Sequence, residues 1–271
     1  MIKLKILSEN RDNCEFKGEG GLSVLVEAFG QVFLMDTGYS GLFAQNAKLL
    51  GEDLANIKNV VLTHGHSDHT GGVRFLDNGK NFIMHPSVFK KRWSIRKNEF
   101  VGFSVTKNEL AEKHNLIETK EPVEFCENCY FLGEIPMVVD FEKNGNFSTM
   151  LDEKLTQKDL TEDDSGVAIV TEKGLFVMTG CGHRGICNTI EQAKMVTGQK
   201  KLYGVFGGLH LRNLEKQKDL IDKTISYFKE NDLKELFLGH CVTDEVIDYF
   251  ERNLPEVKIS RLASGKEFEI V

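Results

Sequence analysis

The chain has 271 residues, of which 41% are hydrophobic and 28% charged, and its 34 Lys and Arg against 41 Asp and Glu give a formal net charge of −7. A chain of this length buries a full core without disulfides or structural metals, so we expect any metal site to serve chemistry. The acidic balance argues against a nucleic-acid partner, and no apolar run is long enough to span a membrane. Lysines alternate with apolar residues over residues 1–7, which predicts a cytoplasmic protein without a signal peptide.

The first half of the chain predicts a β-hairpin followed by alternating helices and strands. Apolar periodicity and turn residues place these elements over residues 23–29, 31–35, 40–50, 59–62, 70–76 and 81–84. The hairpin delivers Asp36 to a loop. Residues 85–158 are irregular and mixed in pattern, and we expect an insertion or cap there within a single domain spanning residues 1–271.

The second half again alternates strands and helices. They are predicted over residues 166–171, 175–179, 185–196, 201–206, 215–229 and 233–238. Three of the strands end in glycine followed by a possible metal ligand, namely Cys181, His210 and His240. Loops at one edge of an α/β sheet are where active sites are usually built, so this pattern predicts a functional site.

The strongest functional signal is His64-Gly65-His66-Ser67-Asp68-His69, which directly follows the apolar strand over 59–62. Imidazole nitrogens and a carboxylate are good ligands for divalent ions such as zinc, and their spacing lets one loop serve two ions. We expect one ion on His64 and His66 and the other on Asp68 and His69. A histidine-rich surface loop is the alternative, but it does not explain the buried type of strand before it.

The HxHxDH motif, together with the hairpin that ends in Asp36-Thr37-Gly38, resembles the metallo-β-lactamase superfamily over nearly the whole chain. The resemblance implies an α/β fold, an αββα sandwich of two mixed β-sheets flanked by helices, with a two-metal site at one edge of the sheets. It implies that Asp36 accepts a ring N–H from a ligating histidine. The ligands that it implies directly are His64, His66, Asp68, His69 and His240.

The sequence departs from the superfamily pattern at one place in the second half of the chain. Many members carry a further histidine ligand before a strand that ends in Gly-Asp, but here the loop reads Glu162-Asp163-Asp164-Ser165-Gly166 and the strand ends in Gly180-Cys181. Cys181 stands where a bridging aspartate usually lies, and His183 could supply the missing imidazole. We include both as predicted ligands. Asp164 is the competing replacement, and Cys181 could equally be a small buried thiol beside the site.

The segments around Cys181, His210 and His240 narrow the resemblance to a subgroup. They are similar to hydrolases related to the archaeal synthase of a dihydropterin-linked ribofuranosylaminobenzene phosphate. Relatives in organisms without methanopterin are assigned only as metal-dependent hydrolases. The subgroup therefore implies fold and site more firmly than substrate.

Four basic residues lie in the predicted insertion, namely Lys90, Lys91, Arg92 and Arg96. A cap could place them near an anionic substrate, but we favour the alternative of a solvated helix face. Cys126-Glu127-Asn128-Cys129 has the spacing of half a zinc ribbon or of a redox pair. No second CxxC completes it, so we expect two reduced thiols near a turn.

Three more histidines have two interpretations each. For His210 we favour a site role, as ligand, phosphate contact or proton donor, over a structural one. For His85 we favour a structural hydrogen bond, and we expect His114 to be solvated on a polar helix.

The expected mechanism is metal-assisted hydrolysis. Two divalent ions generate a hydroxide at neutral pH and polarise the electrophile, so no protein nucleophile is needed, and the sequence contains neither a GxSxG elbow nor a P-loop. We predict that Asp68 orients the hydroxide and that His210 protonates the leaving group. Zinc is the expected metal, with manganese and iron as alternatives.

The leading hypothesis is a binuclear metal-dependent hydrolase of a small anionic ester, in the first place a phosphoester. Pterin and ribofuranosyl-phosphate condensation is a specialised version. Alternatives of the same fold are β-lactamase, lactonase or thioesterase activity, and di-iron oxygen or nitric-oxide reduction. His66 disfavours the reductase, which commonly carries Glu there. A non-catalytic metal-binding module is the alternative from a different class.

Overall fold

The structure is a computed structural model that describes residues 1–143, 145 and 147–270. Its strands are β1 (Ile2–Ser8), β2 (Ser23–Ala28), β3 (Gln31–Met35), β4 (Asn59–Leu62), β5 (Asn81–Met84), β6 (Trp93–Ser94), β7 (Asn115–Glu118), β8 (Val123–Cys126), β9 (Cys129–Phe131), β10 (Thr149–Met150), β11 (Gly166–Thr171), β12 (Gly174–Thr179), β13 (Leu202–Gly207), β14 (Glu235–Leu238), β15 (Lys258–Arg261) and β16 (Glu267–Ile270). Its α-helices are α1 (Leu42–Leu49), α2 (Ser67–Thr70), α3 (Lys107–Ala111), α4 (Ile186–Thr197), α5 (Leu214–Glu230) and α6 (Asp244–Asn253). None of the helices in the described part of the chain is both long and apolar enough to cross a membrane.

The first of two compact units comprises Met1–Glu121, Phe147–Asp164 and Ala263–Val271. It is built on a seven-stranded mixed sheet in the order β16-β1-β2-β3-β4-β5-β7. The pairs from β16 to β3 are antiparallel, and those from β3 to β7 are parallel. Phe43 of α1 packs in one apolar cluster with Phe82 of β5, so burial of apolar side chains holds this helix to the sheet.

The second unit comprises Pro122–Asn146 and Ser165–Leu262. Its seven-stranded sheet has the order β15-β14-β13-β12-β11-β9-β8, with parallel pairs from β15 to β12 and antiparallel pairs from β12 to β8. The core contains Ile190 of α4, Phe228 of α5 and Phe250 of α6. Helix α4 ends at Thr197 and is capped by Gly198, whose φ of +72° lies in the left-handed region that favours glycine.

Parallel strands explain where the candidate ligands lie within each unit. In the first unit β3 and β4 are parallel neighbours, so Asp36 and the histidine motif follow their carboxyl ends at the same sheet edge. In the second unit β12, β13 and β14 are parallel neighbours, and Cys181, His210 and His240 follow their carboxyl ends. Each sheet therefore gathers its functional residues at one edge.

Most predicted elements are confirmed. Strand β4 has the predicted bounds, and the hairpin β2–β3 and helices α1, α4 and α5 lie close to the predicted ranges. The predicted helix over 70–76 is wrong: α2 ends at Thr70 and a 3-10 turn covers Gly71–Phe75. Two consecutive glycines disfavour a continuing α-helix there.

Residues 85–158 contain helix α3 and strands β6 to β10, and Pro122–Asn146 within this range belongs to the second unit. The single domain with an insertion or cap stays a prediction.

Candidate metal centre

The first unit places the three histidines of the HxHxDH motif side by side. The ring centroid of His64 lies 4.5 Å from that of His66 and 4.2 Å from that of His69, and all three residues are buried. The side chain of Asp68 is 31% exposed. Strand β4 is buried along its apolar residues and delivers this loop, so the imidazoles are held away from bulk water.

Asp36 orients two of these rings. Its carboxylate accepts the backbone N–H of Thr63 at 2.8 Å, the hydroxyl of Thr63 at 2.7 Å, and Nδ1–H of His69 at 2.7 Å. Because the single hydroxyl proton of Thr63 goes to Asp36, its oxygen accepts from Nδ1 of His64 at 3.1 Å. Nε2 of His64 and of His69 therefore carries the lone pair, as a metal ligand must.

The ring of His66 is oriented the opposite way. The hydroxyl of Thr149 donates to Asp159 at 2.9 Å, so its oxygen accepts from Nε2 of His66 at 3.2 Å. The lone pair of His66 then lies on Nδ1, which faces Nε2 of His64 at 3.0 Å. In this pair of tautomers both facing nitrogens offer a lone pair, and one cation can bind both. These residues fit a metal ion.

The second unit gathers thiols and imidazoles. Nε2 of His240 lies 3.2 Å from Sγ of Cys181, and the ligand atoms of Cys181, His240 and Cys241 all lie within 4.8 Å of one another. All three residues are buried. Thiolate and imidazole are the ligands that zinc prefers, so this set also fits a metal ion.

His183 and His210 lie beside each other in the same unit, with ring centroids 4.4 Å apart. Nε2 of His210 is buried and has no hydrogen-bond partner among the residues described. Burial, and then the neighbouring charges of His183, Arg212 and His240, lower the pKa of His210 well below its ordinary value. A neutral imidazole with an unengaged nitrogen is able to bind a ligand or to exchange a proton.

Three of the residues at the sheet edges have left-handed backbones. These are Asp36 with φ +57°, His210 with φ +51° and His240 with φ +54°. Such backbones cost about 1 kcal/mol for residues other than glycine, and they concentrate at functional sites.

Two predictions for the basic residues and histidines are wrong. Arg92 is neither on a solvated face nor free to contact a substrate, because it is fully buried and pairs with Asp159 and Asp163. His114 is not solvated: it is 9% exposed, packs edge-on against Phe82 and accepts the backbone N–H of Lys80. Both side chains are buried by contacts with other segments of the chain, and the spacing of apolar residues does not reveal such burial.

The other singled-out residues are placed as follows. His85 is buried and accepts the backbone N–H of Ser87 at 3.1 Å, a structural role. Lys90 pairs with Glu162, whereas Lys91 and Arg96 are exposed. Asp164 is buried in the first unit, and Cys126 and Cys129 are free thiols that flank a two-residue hairpin turn.

Sequence analysis missed four residues around the candidate ligands. Cys241 directly follows a predicted ligand and a strand end, a signal that was present but not used. Thr149, Asp159 and Asp163 are brought to the histidine loop only by the fold, and no local pattern marks them.

A family model described as the metallo-beta-lactamase superfamily matches residues 17–196, two thirds of the chain. The chain belongs to this superfamily. It is 29% identical to 7,8-dihydropterin-6-methyl-4-(beta-D-ribofuranosyl)-aminobenzene-5'-phosphate synthase of Methanocaldococcus jannaschii, over 98% of this chain and 95% of the synthase. The resemblance to the superfamily and to this subgroup is thus confirmed.

Solved structures agree with the sequence comparison. The crystal structure of Tm1679, a metal-dependent hydrolase of the beta-lactamase superfamily, matches with a TM-score of 0.86 and 29% identity over 100% of this chain and 99% of its own. A diphosphatase of the PhnP family matches with a TM-score of 0.53 and 14% identity over 100% of this chain and 98% of its own, a likeness of fold alone. Two mixed sheets flanked by helices are the metallo-β-lactamase fold, so the predicted fold class is confirmed.

Proposed function

We propose that this protein is a binuclear metal-dependent hydrolase of a small anionic ester, in the first place a phosphoester, with zinc as its metal. The observation that carries the proposal is the pair of buried ring nitrogens, Nε2 of His64 and Nδ1 of His66, that face each other at 3.0 Å. Likeness over the full length to a metal-dependent hydrolase of the same superfamily supports it.

Each unit has its own set of proposed ligands. In the first unit His64 and His66 serve one ion, while Asp68 and His69 serve the other. In the second unit the proposed ligands are Cys181, His183 and His240. When bound, two divalent ions supply a nucleophile at neutral pH and polarise the bond to be cleaved.

The chain's own residues have three further tasks in this proposal. Asp36 holds the rings of His64, through Thr63, and of His69 in the tautomers that ligation needs. The carboxylate of Asp68, which is partly exposed, orients the nucleophile. His210 protonates the leaving group in this proposal, and its buried Nε2 has no hydrogen-bond partner among the described residues.

A second candidate is condensation of a pterin with a ribofuranosyl phosphate. Its support is the 29% identity to the Methanocaldococcus synthase over nearly the whole of both chains. Both functions use an anionic phosphate-bearing substrate, so the two are separated by product analysis and not by metal content.

The test combines elemental analysis with turnover. Protein purified without oxygen and loaded with zinc or manganese is given chromogenic phosphodiester, phosphomonoester, thioester and lactone substrates. We expect two ions per chain and turnover of a phosphoester. Asp68→Asn should abolish turnover, whereas Asp77→Asn, a change of an exposed carboxylate, should not. Stoichiometric metal with thioester or lactone turnover alone would refute the phosphoester proposal, and a metal-free, inert protein would refute both candidates.

A further inference from the structure

Arg92 is a fully buried cation that the proposed reaction does not use. Its Nε donates to Asp159 at 2.7 Å and its Nη2 donates to Asp163 at 2.5 Å. Both carboxylates are themselves buried. Burying three charges is expensive even when they are paired, and replacing such a group by apolar residues often stabilises a protein. Stability alone therefore does not account for this group.

One arm of the group reaches the ring of His66. Oδ2 of Asp159 accepts from both Arg92 and the hydroxyl of Thr149. Thr149 in turn accepts from Nε2 of His66. The guanidinium thus fixes a carboxylate, the carboxylate fixes the direction of a hydroxyl, and the hydroxyl fixes which nitrogen of His66 keeps its proton.

The other arm reaches the backbone between the two histidines. Oδ2 of Asp163 accepts the N–H of Gly65 at 2.7 Å. A Cβ at Gly65 would lie 2.0 Å from the carbonyl oxygen of Val88 and 2.5 Å from Nη1 of Arg92. The loop therefore packs directly against the guanidinium, and only glycine permits this approach.

We propose that Arg92 is a positioning residue for metal binding. Through Asp159 and Thr149 it holds His66 in the tautomer with its lone pair on Nδ1, and through Asp163 it holds the turn at Gly65. The inference rests on the proposed function, because it assumes that His66 is a ligand. Outer-shell partners of this kind change metal affinity about 10- to 100-fold when they are removed.

The test is placed on Thr149, because Arg92→Met leaves two buried carboxylates without their partner and endangers folding. Side-chain ¹⁵N chemical shifts of histidine are recorded on the metal-free, full-length protein, and zinc affinity is measured by chelator competition. Thr149→Val removes the hydroxyl, and Thr149→Ser keeps it. Thr224→Val is the matched control, since it removes a buried threonine hydroxyl in the second unit, which donates to the carbonyl of Leu220 at 2.9 Å and also bonds the thiol of Cys187.

We expect wild-type His66 to carry its proton on Nε2. Thr149→Val should populate both tautomers and weaken zinc binding about 10- to 100-fold, while Thr149→Ser and Thr224→Val should behave as wild type. Arg92→Lys keeps the charge but loses the planar fork that serves two carboxylates, so it should lie between Thr149→Ser and Thr149→Val in both measurements.

The outcomes separate this inference from the proposed function. A wild-type tautomer with the proton on Nδ1, or a Thr149→Val variant with unchanged tautomer and zinc affinity, would overturn the positioning role and leave metal binding intact. A wild-type protein with the expected tautomer that binds no divalent ion would overturn the proposed function, and with it the assignment of His66 as a ligand.

Discussion

Replacing Arg92 by methionine tests whether the buried ion group in the first unit is held together by its single cation. The side chains of Arg92 and Asp163 are 0% exposed and that of Asp159 is 2% exposed. Removing one partner of a buried ion pair leaves an uncompensated charge, which costs about 3–5 kcal/mol. Here one cation serves two carboxylates, so we expect the free energy of unfolding of Arg92→Met to fall by at least the lower figure.

Urea unfolding of the metal-free protein measures this loss. The single tryptophan, Trp93, adjoins Arg92 in the first unit and reports on that unit by fluorescence. The expected loss moves the urea midpoint down by about 1–2 M. Lys90→Met is the matched control, because Lys90 pairs with Glu162 at the surface, with side chains 37% and 36% exposed. Such a pair contributes at most about 1 kcal/mol.

The loss should also depend on pH in a definite direction. Burial raises the pKa of the Asp163 carboxyl, and removing Arg92 raises it further. An acid whose pKa is higher in the folded than in the unfolded state costs stability when it is ionised, and that cost disappears as the pH falls through the folded pKa. The deficit of Arg92→Met should therefore shrink as the pH is lowered through the folded pKa of Asp163. A deficit no larger than that of Lys90→Met, or one that is independent of pH, would refute the argument.

Three other substitutions have defined outcomes. Gly65→Ala should lower the free energy of unfolding by about 1–3 kcal/mol and weaken zinc binding, because the added Cβ would meet the carbonyl of Val88. Gly20→Ala is the control, because nothing lies within 4 Å of its Cβ. It should change neither quantity in the same urea and chelator titrations. Cys181→Ser should weaken the thiolate charge-transfer absorption of the cobalt-loaded protein, and Cys241→Ser measures the share of the neighbouring thiol. An unchanged spectrum in Cys181→Ser would exclude this thiol as a ligand. His210→Gln should lower kcat about 100-fold or more with KM little changed, and a kcat like that of the wild type would exclude the role of proton donor.

The sequence predicted the candidate ligands as local features where they directly follow a strand along the chain. Strand β4 and the motif that follows it are adjacent along the chain, so an apolar run and three histidines at fixed spacing were enough to locate the candidate ligands of the first unit. The short segments after β12, β13 and β14 were found for the same reason. Glycine and polar residues at strand ends are local signals.

The burial of Arg92 could not be predicted from local sequence signals. Its neighbours Lys91 and Trp93 are exposed and half-buried, so nothing in the spacing separates a buried cation from a solvated one. Its partners Asp159 and Asp163 lie far along the chain and are brought to it only when the segment over Phe147–Asp164 joins the first unit. His114 was misjudged for the same reason.

By itself the sequence determined the fold class, the superfamily and the candidate ligand types, because these depend on periodicity, strand ends and a compact motif. Only the tertiary structure decided how each imidazole is oriented, since that depends on hydrogen bonds from the rings of His69 and His66 to Asp36 and Thr149, residues far away in the chain. It also decided that Arg92 lies buried beneath the motif. The residue types show which side chains can bind a metal, whereas the orientation of those side chains depends on contacts that exist only after folding.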